Sequence, residues 1–536
     1  MNAIKKTTVK LGKLSVDLVE KEEQFLGIGY VKYGRKSLRS NILPWTFYTE
    51  SEAGFRFDIF TSLKVNQRRD GSVVLTFKST GSRLPRIQEA DAMGDSRIRT
   101  RRLKAPTAYF RWTLRPITEN IGENEWSGMA MQLEIKSPDH PLHWVIEDAT
   151  WEIGGSAAST TLIQQDVSTI DLEQKVKADS EFSTIEKFFT DGWGGSYPMD
   201  MLPRAAGAAI CDFQTKEKWA ICLFFEKPGL TRSRIDKHAN ENVIHYTDRP
   251  FVAASTHVVF PERKLLVYQH KAVLKKHEWR NLWLDCFTEV RERLCSNYGF
   301  TPEIPLPIIH SHLWDKELKQ HGPSWIKPLE NALPVYADLG YRHVFTHGVW
   351  NSVTSDDSPG IIGNICCPYD YAYAEKFGGK KIMRRLNDAA KKAGLRIAQW
   401  FSFQLSQNAP IWKEHPEWLV HQANGSPWNA SYRELWAGKM TTEYADWIEQ
   451  QILAVKEDTG IDGIFWDSYQ NLGVTCIDWA SPDKTPQAEA IWRLQALLQK
   501  EGFFQTCEVV TPFGVSQVAL FGFDDDKFRR RLWSDT

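Results

Sequence analysis

Two rhythms of apolar and polar residues divide this chain. Over residues 1 to about 275, apolar and polar residues alternate in short runs between turn signals. Ser72-Val-Val-Leu-Thr-Phe-Lys78 and Ala253-Ala-Ser-Thr-His-Val-Val-Phe260 are typical. A period of two predicts half-buried strands, and their regular recurrence predicts a large antiparallel β-sandwich. Asp191-Gly-Trp-Gly-Gly-Ser-Tyr-Pro198 is too rich in Gly for a strand. It reads as a loop, either a plain connection or one reaching toward a partner site. From His277 to Cys295 the apolar steps lengthen to three and four, through Trp279, Leu282, Phe287, Val290 and Leu294, which predicts an amphipathic helix. The Pro-rich Thr301-Pro-Glu-Ile-Pro-Leu-Pro307 then reads as a stiff linker.

Beyond the linker the pattern becomes strand, helix, strand. Candidate strands end near Leu313, His347, Ser402, Asp467, Glu508 and Ser534. Helical patterns lie between them, including residues 381–393 before Gly394 and residues 441–456 before Gly460. Such alternation predicts a parallel sheet with right-handed crossovers, as in a (β/α) barrel. The organisation expected is a sandwich over 1–275, a linker helix and Pro-rich segment over 276–304, and a barrel over 305–536. A closed barrel needs eight units and the sequence accommodates six, so the barrel is expected to be truncated. The unpaired edges of such a sheet would favour association into a homo-oligomer.

Composition narrows the partners. Lys+Arg is 66 against Asp+Glu at 67, a formal net charge of -1, which favours neither nucleic acid nor an anionic membrane. Trp is abundant at 22, as suits a core or a surface that stacks on sugar rings. No apolar run marks a signal peptide or a transmembrane helix, and the cysteines lack a Cys-x-x-Cys, so a cytoplasmic location with free thiols is expected. Cys366 and Cys367 are adjacent and lack His partners at metal spacing. Phosphate-loop, Gly-x-Ser-x-Gly and His-Glu-x-x-His motifs do not occur, and no metal or cofactor is expected.

The chemistry on offer is carboxylates at strand ends. Asp467 directly follows the apolar run Ile464-Phe465-Trp466, Glu508 ends the fifth strand and Asp535 the sixth. In a barrel these ends form the face where reactions occur. Two carboxylates facing across it are what glycoside cleavage needs. Asp524-Asp525-Asp526 read better as a solvated loop or helix cap. Around these positions lie Trp314 and Asp315 after the first strand, His347 and Trp350 at the second, and Trp400 and Gln404 at the third. With Trp466, each reads as a sugar contact or as rim and core packing. His415 reads as a packing or helix-start residue.

Several segments in order resemble glycoside hydrolase family 36, the α-galactosidase family, with its clan relatives in families 27 and 31. They are Leu395-Arg-Ile-Ala-Gln-Trp-Phe401, Lys413-Glu-His-Pro-Glu-Trp-Leu-Val420, Gly463-Ile-Phe-Trp-Asp467, Cys507, and Leu532-Trp-Ser-Asp535. The resemblance implies a sandwich followed by a barrel, and a retaining α-glycosidase with Asp467 as nucleophile and Asp535 as acid/base. It implies a carbohydrate substrate, with Cys507 where the family's fifth strand has its Cys; Glu508, beside it at the strand end, is a further candidate contact. This chain departs from the family at positions that recognise the sugar. Phe465 stands where the family has Lys, Thr346-His347-Gly348 where it has paired Asp residues, and Glu508-Val-Val-Thr-Pro-Phe-Gly514 where it has a Ser-Gly-Gly-x-Arg segment. The alternatives are a transglycosidase like the raffinose synthases and a catalytically silent carbohydrate-binding protein.

Overall fold

The computed structural model describes residues lying mainly within 4–83, 105–171, 202–269, 296–311, 322–352, 367–467 and 487–507. They form two compact units, one built chiefly from Met1–Arg293 and one chiefly from Leu294–Ala480 and Pro486–Ser534. The division falls inside the helical stretch of 277–295. The Gly-rich loop 191–198, most of the Pro-rich linker and the sixth candidate strand, 529–534, lie outside the described residues. Among the described residues no helix is long and apolar enough to cross a membrane.

The first unit is antiparallel throughout its described pairings, as in Val73–Thr80 with Thr107–Ile121 and Asn124–Lys136 with Arg263–Gln269. Alternation does the sorting. In Thr107–Ile121, Ala108, Phe110, Trp112 and Leu114 are buried while Tyr109 and Arg111 are exposed. Phe25, Phe60, Phe77 and Phe110 come from four different strands, yet their rings meet at 5.1 to 5.2 Å between centroids. Two of these contacts are edge-on, a geometry favoured by the ring quadrupole.

The second unit alternates strand and helix. Its sheet strands are β1 (Ile308–Ser311), β2 (His343–Thr346), β3 (Arg396–Phe401), β4 (Gly463–Trp466) and β5 (Phe504–Cys507). Between them run α1 (Ile326–Asp338), α2 (Gly379–Lys392), α3 (Tyr444–Thr459) and α4 (Ala488–Lys500). The strands are all parallel and lie in chain order. Gly460 ends α3 in the left-handed region at φ 71, where only a residue without Cβ is free of strain. Each helix turns an apolar stripe inward: Ile326, Leu329 and Leu333 on α1, Met383, Leu386 and Ala390 on α2, Ile448, Ile452 and Val455 on α3.

Register divides the sheet residues between two faces. Gln505 of β5 donates through Nε2 to the Gln495 carbonyl of α4 at 2.6 Å, so its side chain lies on the helix-covered face. Ile464 pairs with Gln505, and Phe401 with Trp466, which places all four on that face. Phe345, Ala398, Trp400, Phe465 and Phe504 fall on the other. There, Phe345 of β2 meets Phe465 of β4 at 4.5 Å between ring centroids, and His343 of β2 meets Phe504 of β5 at 4.1 Å. In a flat sheet β2 and β5 would stand about 14 Å apart. The sheet therefore curls, with this inner face concave.

Candidate active site

Asp467 begins where β4 ends. Its backbone N–H donates to the Phe401 carbonyl at 2.9 Å, so the β3–β4 ladder runs one residue past the strand. Gly463 and Phe465 belong to the inner face, and Asp467 is next in that alternation. It is half-buried, at the C-terminal edge of the concave surface. The apolar run before it explains the placement: Ile464 and Trp466 fill the layer under the helices, Phe465 fills the inside of the curl, and the first polar residue emerges at the rim.

Two short hairpins continue from the same edge. Trp350–Ser352 pairs with Pro368–Tyr373 after β2, and Gln404–Ser406 pairs with Leu435–Ala437 after β3. The first carries an aromatic cluster. Trp350 lies 5.3 Å from Tyr371, 4.9 Å from Tyr373 and 5.1 Å from Phe401. Its indole N–H donates to the Trp400 carbonyl at 2.9 Å. Just before it, Val349 holds a φ of 53, a conformation that costs a β-branched residue free energy and persists only where the surroundings enforce it.

Tyr371 links this hairpin to the catalytic candidate. Its hydroxyl donates to the Ser402 carbonyl at 2.5 Å and accepts from the Ser402 N–H at 2.8 Å. Burial holds the phenol well above its ordinary value, the Ser402 contact offsets part of that, and the negative charge of Asp467 pushes it further up. Tyr371 is thus a neutral, fixed post within electrostatic reach of the Asp467 carboxylate.

Gln404 is fully buried, and neither its Oε1 nor its Nε2 has a hydrogen-bond partner among the described residues. Leaving both ends of an amide unpaired away from water is unfavourable. Trp350, Trp400 and Trp466 are also fully buried. Trp466 lies on the helix-covered face, gives its N–H to Gln505 Oε1 at 2.8 Å and stacks on Phe403 at 4.5 Å, so its ring belongs to the layer beneath the helices. His415 stacks on Trp418 at 3.9 Å and contacts Glu417 at the start of a short helical turn. Cys507 is the last residue of β5. Trp314, Asp315, His347, Glu508, Asp524–Asp526 and Asp535 lie outside the described residues.

One charged group near this rim escaped the reading of the sequence. Asp478, almost wholly buried, accepts the His421 backbone N–H at 2.8 Å and pairs with Lys439 Nζ at 2.6 Å. His421 Nδ1 is 3.4 Å from the same carboxylate. Nothing in the spacing of residues 421, 439 and 478 signals this cluster, because loop geometry alone brings them together.

No protein-family model matches this chain, and no curated protein sequence matches it. Solved structures do. The α-N-acetylgalactosaminidase NagBb of Bifidobacterium bifidum, in complex with GalNAc, aligns over 98% of this chain and 80% of its own at a TM-score of 0.57 and 11% identity. The chain shares the fold of that enzyme. The same protein bound to Gal-NHAc-DNJ aligns over 96% of this chain and 77% of its own, at 12% identity and a TM-score of 0.56. The GH36 α-galactosidase AgaA of Geobacillus stearothermophilus aligns at 10% identity over 99% of this chain and 77% of its own. Its TM-score is 0.44.

Proposed function

We propose that the second unit is a (β/α) barrel that cleaves an α-linked glycoside by double displacement. The observation that carries this reading is the position of Asp467, a half-buried carboxylate on the concave face at the C-terminal rim of a central strand. Five parallel strands in chain order, curled inward under helices, support the barrel. The family-36-like motifs and the fold shared with an α-N-acetylgalactosaminidase support the glycosidase. Asp467 attacks the anomeric carbon, and Asp535 protonates the departing oxygen and then activates water. For that, their carboxyl groups must approach within roughly 5–5.5 Å. Gln404 offers a sugar hydroxyl the donor and acceptor that its amide has not satisfied within the protein. Phe465, packed on Phe345, supplies none of the hydrogen bonds of the family's Lys, so simple α-galactosides are not the preferred substrates.

The test is a panel of nitrophenyl α-glycosides, including the galactoside, N-acetylgalactosaminide and glucoside. Turnover of at least one is expected. Asp467→Ala should lower it by about 10⁴-fold. Added azide should restore part of the rate and yield a β-glycosyl azide. Asp535→Ala should impair poor leaving groups far more than nitrophenol. An Asp467→Ala protein with unchanged turnover removes the assignment, and no turnover of any glycoside leaves the silent carbohydrate-binding alternative.

A further inference from the structure

The exposed side of the first unit carries a feature that the proposed reaction does not use. A shallow cleft of about 320 Å³ lies across neighbouring antiparallel strands, lined by Lys64, Lys78, Tyr109, Arg111, Glu134 and Lys136. Register fixes the arrangement. Tyr109 stands opposite Lys78 on one neighbour and opposite Lys136 on the other. Arg111 stands opposite Glu134, and Lys64 opposite Thr76 in the same row. With strands about 4.8 Å apart, the Lys78 and Lys136 stems flank the ring at about 10 Å from each other. Tyr109 is 53% exposed, a large ring held on the face opposite the one that buries Ala108, Phe110 and Trp112.

Charge makes the cleft distinct. Four cations face one carboxylate, in a chain whose formal net charge is -1. Glu134 is already engaged: His257 Nε2 lies 2.8 Å from its Oε1, Lys136 Nζ 3.4 Å, and Arg111 3.9 Å from its Oε2. Burial pushes its carboxyl up, and the contacts with His257 and Lys136 outweigh this and hold it below its usual range. Lys64 and Lys78 have no carboxylate partner among the described residues.

We propose that this cleft binds an anionic oligosaccharide. The Tyr109 ring offers a face for stacking on a pyranose, and Lys78, Lys136 and Lys64 receive its acid groups. Glu134 accepts a sugar hydroxyl and disfavours a ligand as densely charged as nucleic acid, which carries one phosphate per 3.4 Å of each strand. Carboxylated and sulfated sugars share this chemistry. The inference is independent of the reaction assigned to the second unit.

Calorimetric titration of the full chain at low salt tests it, with four probes: tetragalacturonate, a heparin-derived tetrasaccharide, a neutral galacto-oligosaccharide of equal length, and an eight-residue oligothymidylate. At least one anionic saccharide should bind more tightly than the neutral one and the oligonucleotide, and which one binds identifies the acid group. Lys78→Glu with Lys136→Glu should weaken that binding at least tenfold, and Tyr109→Ala several-fold. Lys5→Glu with Lys13→Glu, on the same unit but outside the cleft, should leave it unchanged. Far-ultraviolet dichroism confirms that each variant is folded. Failure of both anionic saccharides to bind overturns the proposal. So does equal affinity for the neutral sugar or the oligonucleotide, or undiminished binding by the Tyr109 variant and the Lys78/Lys136 variant.

Discussion

Acid should destabilise the second unit through His343. This imidazole is buried on the inner face against Phe504, 4.1 Å away between ring centroids. Burial, reinforced by the positive charge of Arg396 and only partly offset by Asp462, lowers its pKa from 6.5 to about 4. The sign follows from which state binds the proton. Between pH 6.5 and 4 the unfolded chain takes up a proton that the folded chain refuses, so stability falls as pH falls. At roughly 1.4 kcal/mol per pH unit, the interval from 6.5 to about 4 corresponds to about 3 kcal/mol. Below the folded value the loss levels off. His343→Leu keeps the volume and removes the titration. Urea unfolding near pH 7 and near pH 4, followed by amide-exchange protection of peptides from β2 and β5, reads this unit separately from the other. The wild-type protein should lose about 3 kcal/mol more on acidification than the variant. Equal acid losses in the two proteins refute the reasoning.

Gly463→Ala should cost the second unit about 2–3 kcal/mol in urea unfolding, because a Cβ there runs into the Phe504 ring of β5 and the Ile397 carbonyl of β3. Gln404→Leu should raise the thermal midpoint by removing an unpaired buried amide, yet lower kcat/KM on the best glycoside; a rise in both would separate Gln404 from the substrate. Lys439→Met leaves the buried Asp478 carboxylate without its ammonium partner and should cost about 3–5 kcal/mol, partly recovered by adding Asp478→Asn, as read by denaturant midpoints.

What the sequence disclosed depended on the range of the interactions involved. The helices are legible because their signals are local. Gly460 and Gly394 punctuate α3 and α2 within two or three residues of the observed ends. The unbroken run Ile464-Phe465-Trp466 announces a strand covered on both faces, and the placement of Asp467 at its end follows. Which tryptophan faces which layer is not local. Trp400 and Trp466 lie in equally apolar runs, and only the register of β3 with β4 sends them to opposite faces. The antiparallel pair that carries Tyr371 gives no comparable signal, because its first strand, Trp350–Ser352, is too short for alternation to show. The ion pair of Lys439 with Asp478 was invisible for the same reason as any long-range contact: it depends on where loops fold back.

The order of strands also bears on how each unit can be assembled during synthesis. In the parallel sheet every strand pairs with the next one along the chain, the widest gap being from Arg396 to Gly463. Each new strand leaving the ribosome meets a partner already in place, and the sheet can grow by accretion. The first unit follows such steps only in part, as where Lys5–Leu11, Leu14–Lys21 and Gln24–Tyr33 pair in turn. Its strand Asn124–Lys136 sets Gly128 opposite Leu266, so one edge of that strand waits for well over a hundred further residues to be made. An open edge of that kind is a template for unwanted pairing. The burden of protection during synthesis therefore falls on the antiparallel unit, although it is the part of the chain that is made first.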